Sequence, residues 1–405
     1  MFIYKEIRSE YFGVLFLLSI LYFLMNKSVF FRNIKQDPAW IALVALSGMS
    51  LAAYISYILS GMPEQGEVRI IKYSWFILSV PVYFLFREIK PEMKVVWIGI
   101  IIGSFVAGGR ALLEEFKLVE ELAWDIPEMY GRANGVMHPI RFGDLSLATG
   151  FISLAGSLAL ETGKTLKMLG WFGFVSGLGA SFLSGTRGAW IAIPLLLWVV
   201  LRPWFSTIDH KEKVRFIIVV IMGSIIVFSL PAFKVGERIR QAQSDIAKFI
   251  DGDSRTSIGA RLDMIKTSIS IFTDNPIFGV GVGKYQQAAV EKYRDWGGQI
   301  SPEVIRWKNP HNELLLVAAT RGLLGVFFYL FLFVTTFIFF KRAAESNNSL
   351  ARFVASSGLV LVAGFFIFGM SIALFEHRDF LLFFLVYLVL FLSTASMCIR
   401  KIERR

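Results

Sequence analysis

Residues 380–398 read FLLFFLVYLVLFLSTASMC, nineteen positions without an Asp, Glu, Lys or Arg. That length falls within the roughly 17–25 residues a helix needs to cross about 30 Å of hydrocarbon. In lipid the backbone polar groups must be paired internally, which a helix does along its own length. Working outward, comparable runs recur at 11–25, 39–61, 70–86, 95–108, 145–160, 166–184, 189–204, 214–230, 314–340 and 353–375. The chain is 55% hydrophobic, and the excess sits in these blocks; a soluble domain is about 45–50% apolar. The reading is an all-α fold: a polytopic transmembrane helical bundle of about 11–12 spans, one integral membrane domain over 1–405.

A net charge of +11 raises the question of a nucleic-acid partner, and the placement of the charges argues against one. Lys27, Arg32 and Lys35 share one connection, and Arg87, Lys90 and Lys94 another. Later alternate connections carry Lys164 and Lys167, then Arg202, Lys211, Lys213 and Arg215, then Lys341 and Arg342. Arg400, Lys401, Arg404 and Arg405 close the series. The alternation follows the positive-inside rule, so these connections face the cytoplasm and the others face outward. The expected partner is therefore the lipid bilayer, with no nucleic acid. Eleven spans would put the N-terminus outside, whereas Lys5 and Arg8 favour the inside, which leaves the count at eleven or twelve. The single Cys398 excludes an internal disulfide framework and any metal site built from cysteines.

The largest outward connection is the 80-residue segment 232–311, a mainly helical loop by its periodicity. Val235, Ile239, Ala242, Ile246 and Phe249 recur every three to four residues, and Asp251-Gly252-Asp253-Ser254 breaks the pattern. Leu262, Ile265, Ile269 and Phe272 form a second stripe, stopped by Asn275-Pro276. These stripes are expected to rest on the bundle or the membrane surface, leaving Arg261 and Lys266 toward a cavity. The string Ile277 to Tyr285 is glycine-rich but fails as a phosphate loop. Phe278 replaces the first Walker glycine, Tyr285 the hydroxyl residue, and Lys284 spoils the dinucleotide pattern, so a turn is the favoured reading. Asp251 and Asp253 have a metal-binding spacing, but Asp and Gly are also what a turn requires; no metal and no cofactor are expected.

Of four histidines, His311 is the strongest candidate for chemistry, standing between Pro310 and Asn312-Glu313 where the polar loop meets an apolar run. An imidazole there can take a proton from a hydroxyl at neutral pH; the plain alternative is a helix cap. Asn312 and Glu313 would orient the ring or form the first helical turn. Arg187, in the tight turn Ser184 to Trp190, lies so near hydrocarbon that it needs a partner or a polar cavity, unless it is a snorkelling anchor. Arg261 and Arg378 each have nearby acids that could simply pair with them. His138, with Arg132 and Arg141, forms a second outward basic patch, and His210 reads as incidental. Guanidinium groups neutralise phosphate oxygens in bidentate fashion. Arginines converging with a histidine therefore suit transfer from a diphosphate-linked donor, whose leaving group gains charge as the bond breaks.

Four motifs in order resemble the bacterial O-antigen ligase/polymerase superfamily: Thr186-Arg187, Gly259-Ala260-Arg261-Leu262, Asn275-Pro276-Ile277-Phe278-Gly279 and His311-Asn312-Glu313. The resemblance implies inverting, metal-independent glycosyl transfer at the periplasmic face of the inner membrane. Its donor would be a polysaccharide on undecaprenyl diphosphate, and in a ligase the acceptor would be a sugar hydroxyl of lipid A–core. It gives Arg187, Arg261 and, less directly, Arg378 to the donor diphosphate, and His311 to catalysis. A length of about 400 residues with short ends resembles the lipopolysaccharide ligases more than the protein O-oligosaccharyltransferases, and a polymerase of the same superfamily stays the alternative. A transporter of lipid-linked sugar is the reading from another class; the lack of a clear internal repeat and the scarcity of charge at mid-depth in the spans argue against it.

Overall fold

The computed structural model describes residues 10–33, 36–119, 132–135, 137–205, 209, 211, 213, 214, 235–251, 253, 254, 256–298 and 300–403. The expected span at 214–230 (beyond its first residue) and His210 lie outside the described residues. Among the described residues the structure is helical, without strands. α1 (Glu10–Asn33), α2 (Trp40–Leu59), α3 (Glu67–Ile89) and α4 (Met93–Glu115) come first. α5 (Pro139–Ala159), α6 (Lys164–Leu183), the single turn α7 (Arg187–Trp190) and α8 (Ile193–Phe205) follow. The large loop supplies α9 (Val235–Ile250), α10 (Ser257–Asp274), α11 (Tyr285–Asp295) and α12 (Glu303–Arg306). α13 (Glu313–Ala344), α14 (Ser349–Phe368) and α15 (Arg378–Glu403) complete the chain.

Eight helices among the described residues are long and apolar enough to cross a membrane. Two further expected spans are short. The apolar part of α1 is Phe12–Asn26, ending at a kink where Asn26 leaves helical geometry. The run 189–204 divides into α7 and the 13-residue α8, about 20 Å long at 1.5 Å per residue. α5, α14 and α15 form the buried middle, while outer helices such as α6 and α13 present apolar side chains outward, including Phe172, Val175, Phe327 and Val334. α5 meets α6 through glycines: a Cβ on Gly177 would stand 2.5 Å from the Ser146 carbonyl oxygen. The glycine cluster at 170–185 thus permits close helix contact, as small residues do between membrane helices.

The spans are expected to be almost free of charge at mid-depth, and α13 holds a buried charged pair. Arg321 and Glu313 are both buried in that helix, 3.8 Å apart, and Arg321 donates to the Tyr73 hydroxyl at 2.7 Å. Pairing makes a charge tolerable where isolation would not. One residue on, Gly322 has φ 61° and breaks the helix. The glycine-rich turn from the large loop fills the break. Leu323 and Leu324 N–H donate to the Pro276 and Ile277 carbonyls at 2.7 and 3.2 Å. Val280 and Gly281 N–H donate to those of Ala319 and Thr320 at 3.0 and 3.1 Å. Backbone groups freed by the break are thereby paired, which an apolar medium demands.

The loop has its own small core of Met264, Ile271, Tyr285, Ala289 and Val304, seated on Leu316 and Ala319 of α13. Here too an expectation changes. The packed face of α10 is Ala260, Asp263, Met264, Thr267, Ser268 and Ile271, while Ile265 and Ile269 of the expected stripe are exposed. A periodic apolar stripe does not say whether protein or lipid covers it, and here the smaller, more polar face meets protein. Asp251 and Asp253 lie exposed at the turn that ends α9.

Candidate functional site

His311 stands on the ledge between the loop and α13, in left-handed backbone with φ 50°. A non-glycine residue there is uncommon and costs of the order of 1 kcal/mol or more. Its N–H donates to Asn309 Oδ1 at 3.0 Å, which holds the turn, and its ring meets the edge of Trp307 with centroids 5.0 Å apart. The imidazole makes no hydrogen bond among the described residues. Asn312 caps α13 by accepting from Leu315 N–H at 3.0 Å and donates to the Met370 carbonyl at 3.2 Å. Glu313 is fully buried and accepts from Phe375 N–H at 3.1 Å. Of the two roles open to Asn312 and Glu313, the geometry gives them the first helical turn and its anchorage, not orientation of the ring.

The same end of the bundle brings in two further histidines. His138 caps α5, its Nδ1 accepting from Ile140 N–H at 3.3 Å. His377 follows the short turn Leu374–Glu376. Burial, then the Arg141 and Arg132 charges, push His138 down to about 4, and His311 adds to the effect. Burial, then Arg141 and His138, push His377 down to about 3. His311 is also lowered, by burial first and the Arg261 charge second, with Glu303 opposing. Three imidazoles close enough to act on one another are thus held neutral, and a neutral imidazole can accept a proton.

The arginines arrive from separate elements. Arg132 donates through Nε to the Ser184 carbonyl at 2.7 Å, and the charge of Arg187 acts on it. The Arg132 segment is fastened by buried Glu114, which accepts from Asn134 and Gly135 N–H at 2.8 and 3.1 Å. Thr186 Oγ1 donates to the Pro139 carbonyl at 3.1 Å, tying the turn of Arg187 to the start of α5 beside His138. Arg261, exposed near the start of α10, makes no ion pair among the described residues; Asp263 is buried and accepts from Ser301 N–H instead. Among the described residues, then, no acid takes up Arg261. Arg378 is different. Its guanidinium lies over the Trp75 ring, 5.7 Å from the centroid, while its acidic neighbours Glu376 and Asp379 pair with Arg69 and Arg141, both at 2.7 Å.

The structure thus gathers His311, His138, Arg132, Arg187 and Arg261 at one end, and turns Arg378 toward an aromatic ring on α3. Sequence reasoning passed over His377, Arg69, Lys72 and Arg321. His377 stands directly before Arg378 in the sequence, and Arg321 was visible as a lone charge in an apolar run. Arg69 and Lys72 had no distinguishing signal.

These features define an all-α, polytopic membrane protein with a basic, histidine-bearing site where several helix ends meet a docked loop. Residues 172–330, which contain all four motifs, match the family model of the O-antigen ligases. The chain is 23% identical over 330 residues to an uncharacterized protein of Haemophilus influenzae, covering 80% of each chain. It is also 23% identical over 212 residues to an O-antigen ligase of Escherichia coli K12, covering 51% of this chain and 49% of that one. The matches support the O-antigen ligase superfamily and, in general terms, an O-antigen ligase-type function.

Proposed function

We propose that the protein transfers a polysaccharide from undecaprenyl diphosphate to a sugar hydroxyl of lipid A–core, at the periplasmic face of the bacterial inner membrane. The observation that carries this reading is the neutral, unbonded imidazole of His311 within electrostatic reach of Arg261. His311 takes the proton of the acceptor hydroxyl as its oxygen bonds to the anomeric carbon of the donor. The anomeric carbon–oxygen bond to diphosphate breaks, its electron pair leaves with undecaprenyl diphosphate, and the configuration inverts. Arg187, Arg261 and Arg132 neutralise the departing diphosphate, the charge that grows in the transition state. Arg378 contributes at most from the rim. The large loop 232–311 is the periplasmic part of the site, and no cofactor is needed.

Reconstitution tests this with purified protein, lipid-linked polysaccharide and lipid A–core, in the presence of chelator. Polysaccharide appearing on lipid A–core, and lost in His311→Ala, is the expected result. Lengthening of the donor chain with lipid A–core untouched would make the protein a polymerase of the same superfamily. Neither product would overturn the transferase reading in favour of a transporter.

A further inference from the structure

Beside the histidines, between α3, α11 and the turn Leu374–Glu376, lies a cavity of about 930 Å³. The size is within the roughly 300–1,000 Å³ usual for small-molecule sites. Its wall carries four cations, Arg69, Lys72, Arg294 and Lys308, against two carboxylates, Glu291 and Glu376. Glu376 is engaged already: its side chain takes Arg69 at 2.7 Å and its carbonyl takes the Lys72 ammonium at 2.6 Å. Arg294 and Lys308 are exposed and have no acidic partner among the described residues. Between the charges stand the amides of Gln286, Gln287 and Asn309, and Val68 and Val290 are the aliphatic residues on its wall. Such a surface suits a hydrated, negatively charged saccharide and not an acyl chain. It is separate from the arginines assigned to the donor, since Arg132, Arg187 and Arg261 do not line it.

The cavity reaches the reacting end through two residues. Asn309 on its wall accepts the N–H of His311 at 3.0 Å, and His377, also on its wall, is close enough to feel the His311 charge. We infer that this cavity is an acceptor subsite for a saccharide bearing phosphate or carboxylate groups, which Arg294 and Lys308 hold while a neighbouring hydroxyl faces His311. The inference rests on the transferase reading for the identity of the acceptor. The leaving diphosphate and the incoming sugar are then held by different cations, Arg132, Arg187 and Arg261 for one and Arg294 and Lys308 for the other.

The test uses the full chain in lipid nanodiscs and fluorescently labelled lipid A–core as probe, first by binding and then by transfer. Arg294→Gln with Lys308→Gln should weaken acceptor binding roughly ten-fold or more and leave the KM for donor unchanged, as loss of two charge-assisted contacts predicts. Dephosphorylated core and carboxyl-reduced core separate the two anion sources. The one that matters should bind wild type as weakly as the double variant binds native core. Unchanged acceptor binding, or equal weakening toward donor and acceptor, would overturn the assignment. Because binding needs no turnover, the two readings fail separately. Core that binds through these residues but receives no polysaccharide sinks the transferase and spares the cavity, while transfer with binding indifferent to both residues does the reverse.

Discussion

Glu313 and Arg321 sit two helical turns apart on α13, with charged atoms 3.8 Å apart and neither side chain more than 1% exposed. Glu313 also holds Phe375 N–H, just ahead of His377, and begins its helix two residues after His311. One buried pair therefore fixes two of the three histidines relative to each other. Removing one partner leaves the other as an uncompensated buried charge, at a cost of about 3–5 kcal/mol. Glu313→Gln and Arg321→Met should each lower the melting temperature of the purified protein markedly, and the double variant should lose less than the sum. Strictly additive losses would show that the pair is not coupled.

Replacing His311 by Ala should reduce kcat by about 10²–10⁴, the usual contribution of a general base, while donor binding stays intact. Burial and Arg261 lower this imidazole below its ordinary 6.5. The base is competent above that lowered value, so kcat should be flat through neutrality and fall only on the acid side. A midpoint above 7 in the pH profile of wild type would contradict the arrangement.

Arg261→Gln removes a positive charge that keeps His311 neutral. The imidazole then binds its proton more readily, and the acid limb of the kcat profile should move to higher pH. The same variant should raise the KM for the lipid-linked donor. A higher KM with no movement of the acid limb would leave Arg261 a donor contact alone.

Gly322→Ala should destabilise the protein by about 1–3 kcal/mol, since positive φ is strained for any residue with a side chain. The added methyl would also meet the Ile277 carbonyl group of the docked turn. Limited proteolysis should then cut near 276–283 faster than in wild type. Equal cutting rates would mean that the turn holds without the break.

Much of the fold was legible because apolar length is a local property. The runs at 39–61 and 314–340 correspond within a few residues to Trp40–Leu59 and Glu313–Ala344. Ends were less so: α4 continues past 108 through Arg110 to Glu115, because Glu114 finds partners on a segment some twenty residues away. For the site, the motif residues His311, Arg187 and Arg261 did fall at one end of the bundle. Arg378 turned away because its acidic neighbours were claimed by Arg69 and Arg141, 307 and 238 residues distant. No spacing rule reports such pairings. Arg321 was open to detection, being an ionisable residue within an apolar span, where a specific role is the default expectation.

The interrupted α13 and the turn 276–281 complete each other's hydrogen bonding, so neither has an intact backbone alone. Boundaries for exchanging the large loop between related proteins cannot fall anywhere from Pro276 to Leu324 without stranding peptide groups in an apolar layer. A graft that respects this unit carries the His311 ledge with it. Specificity transplanted by loop exchange would therefore arrive together with the proposed base, as one inherited block.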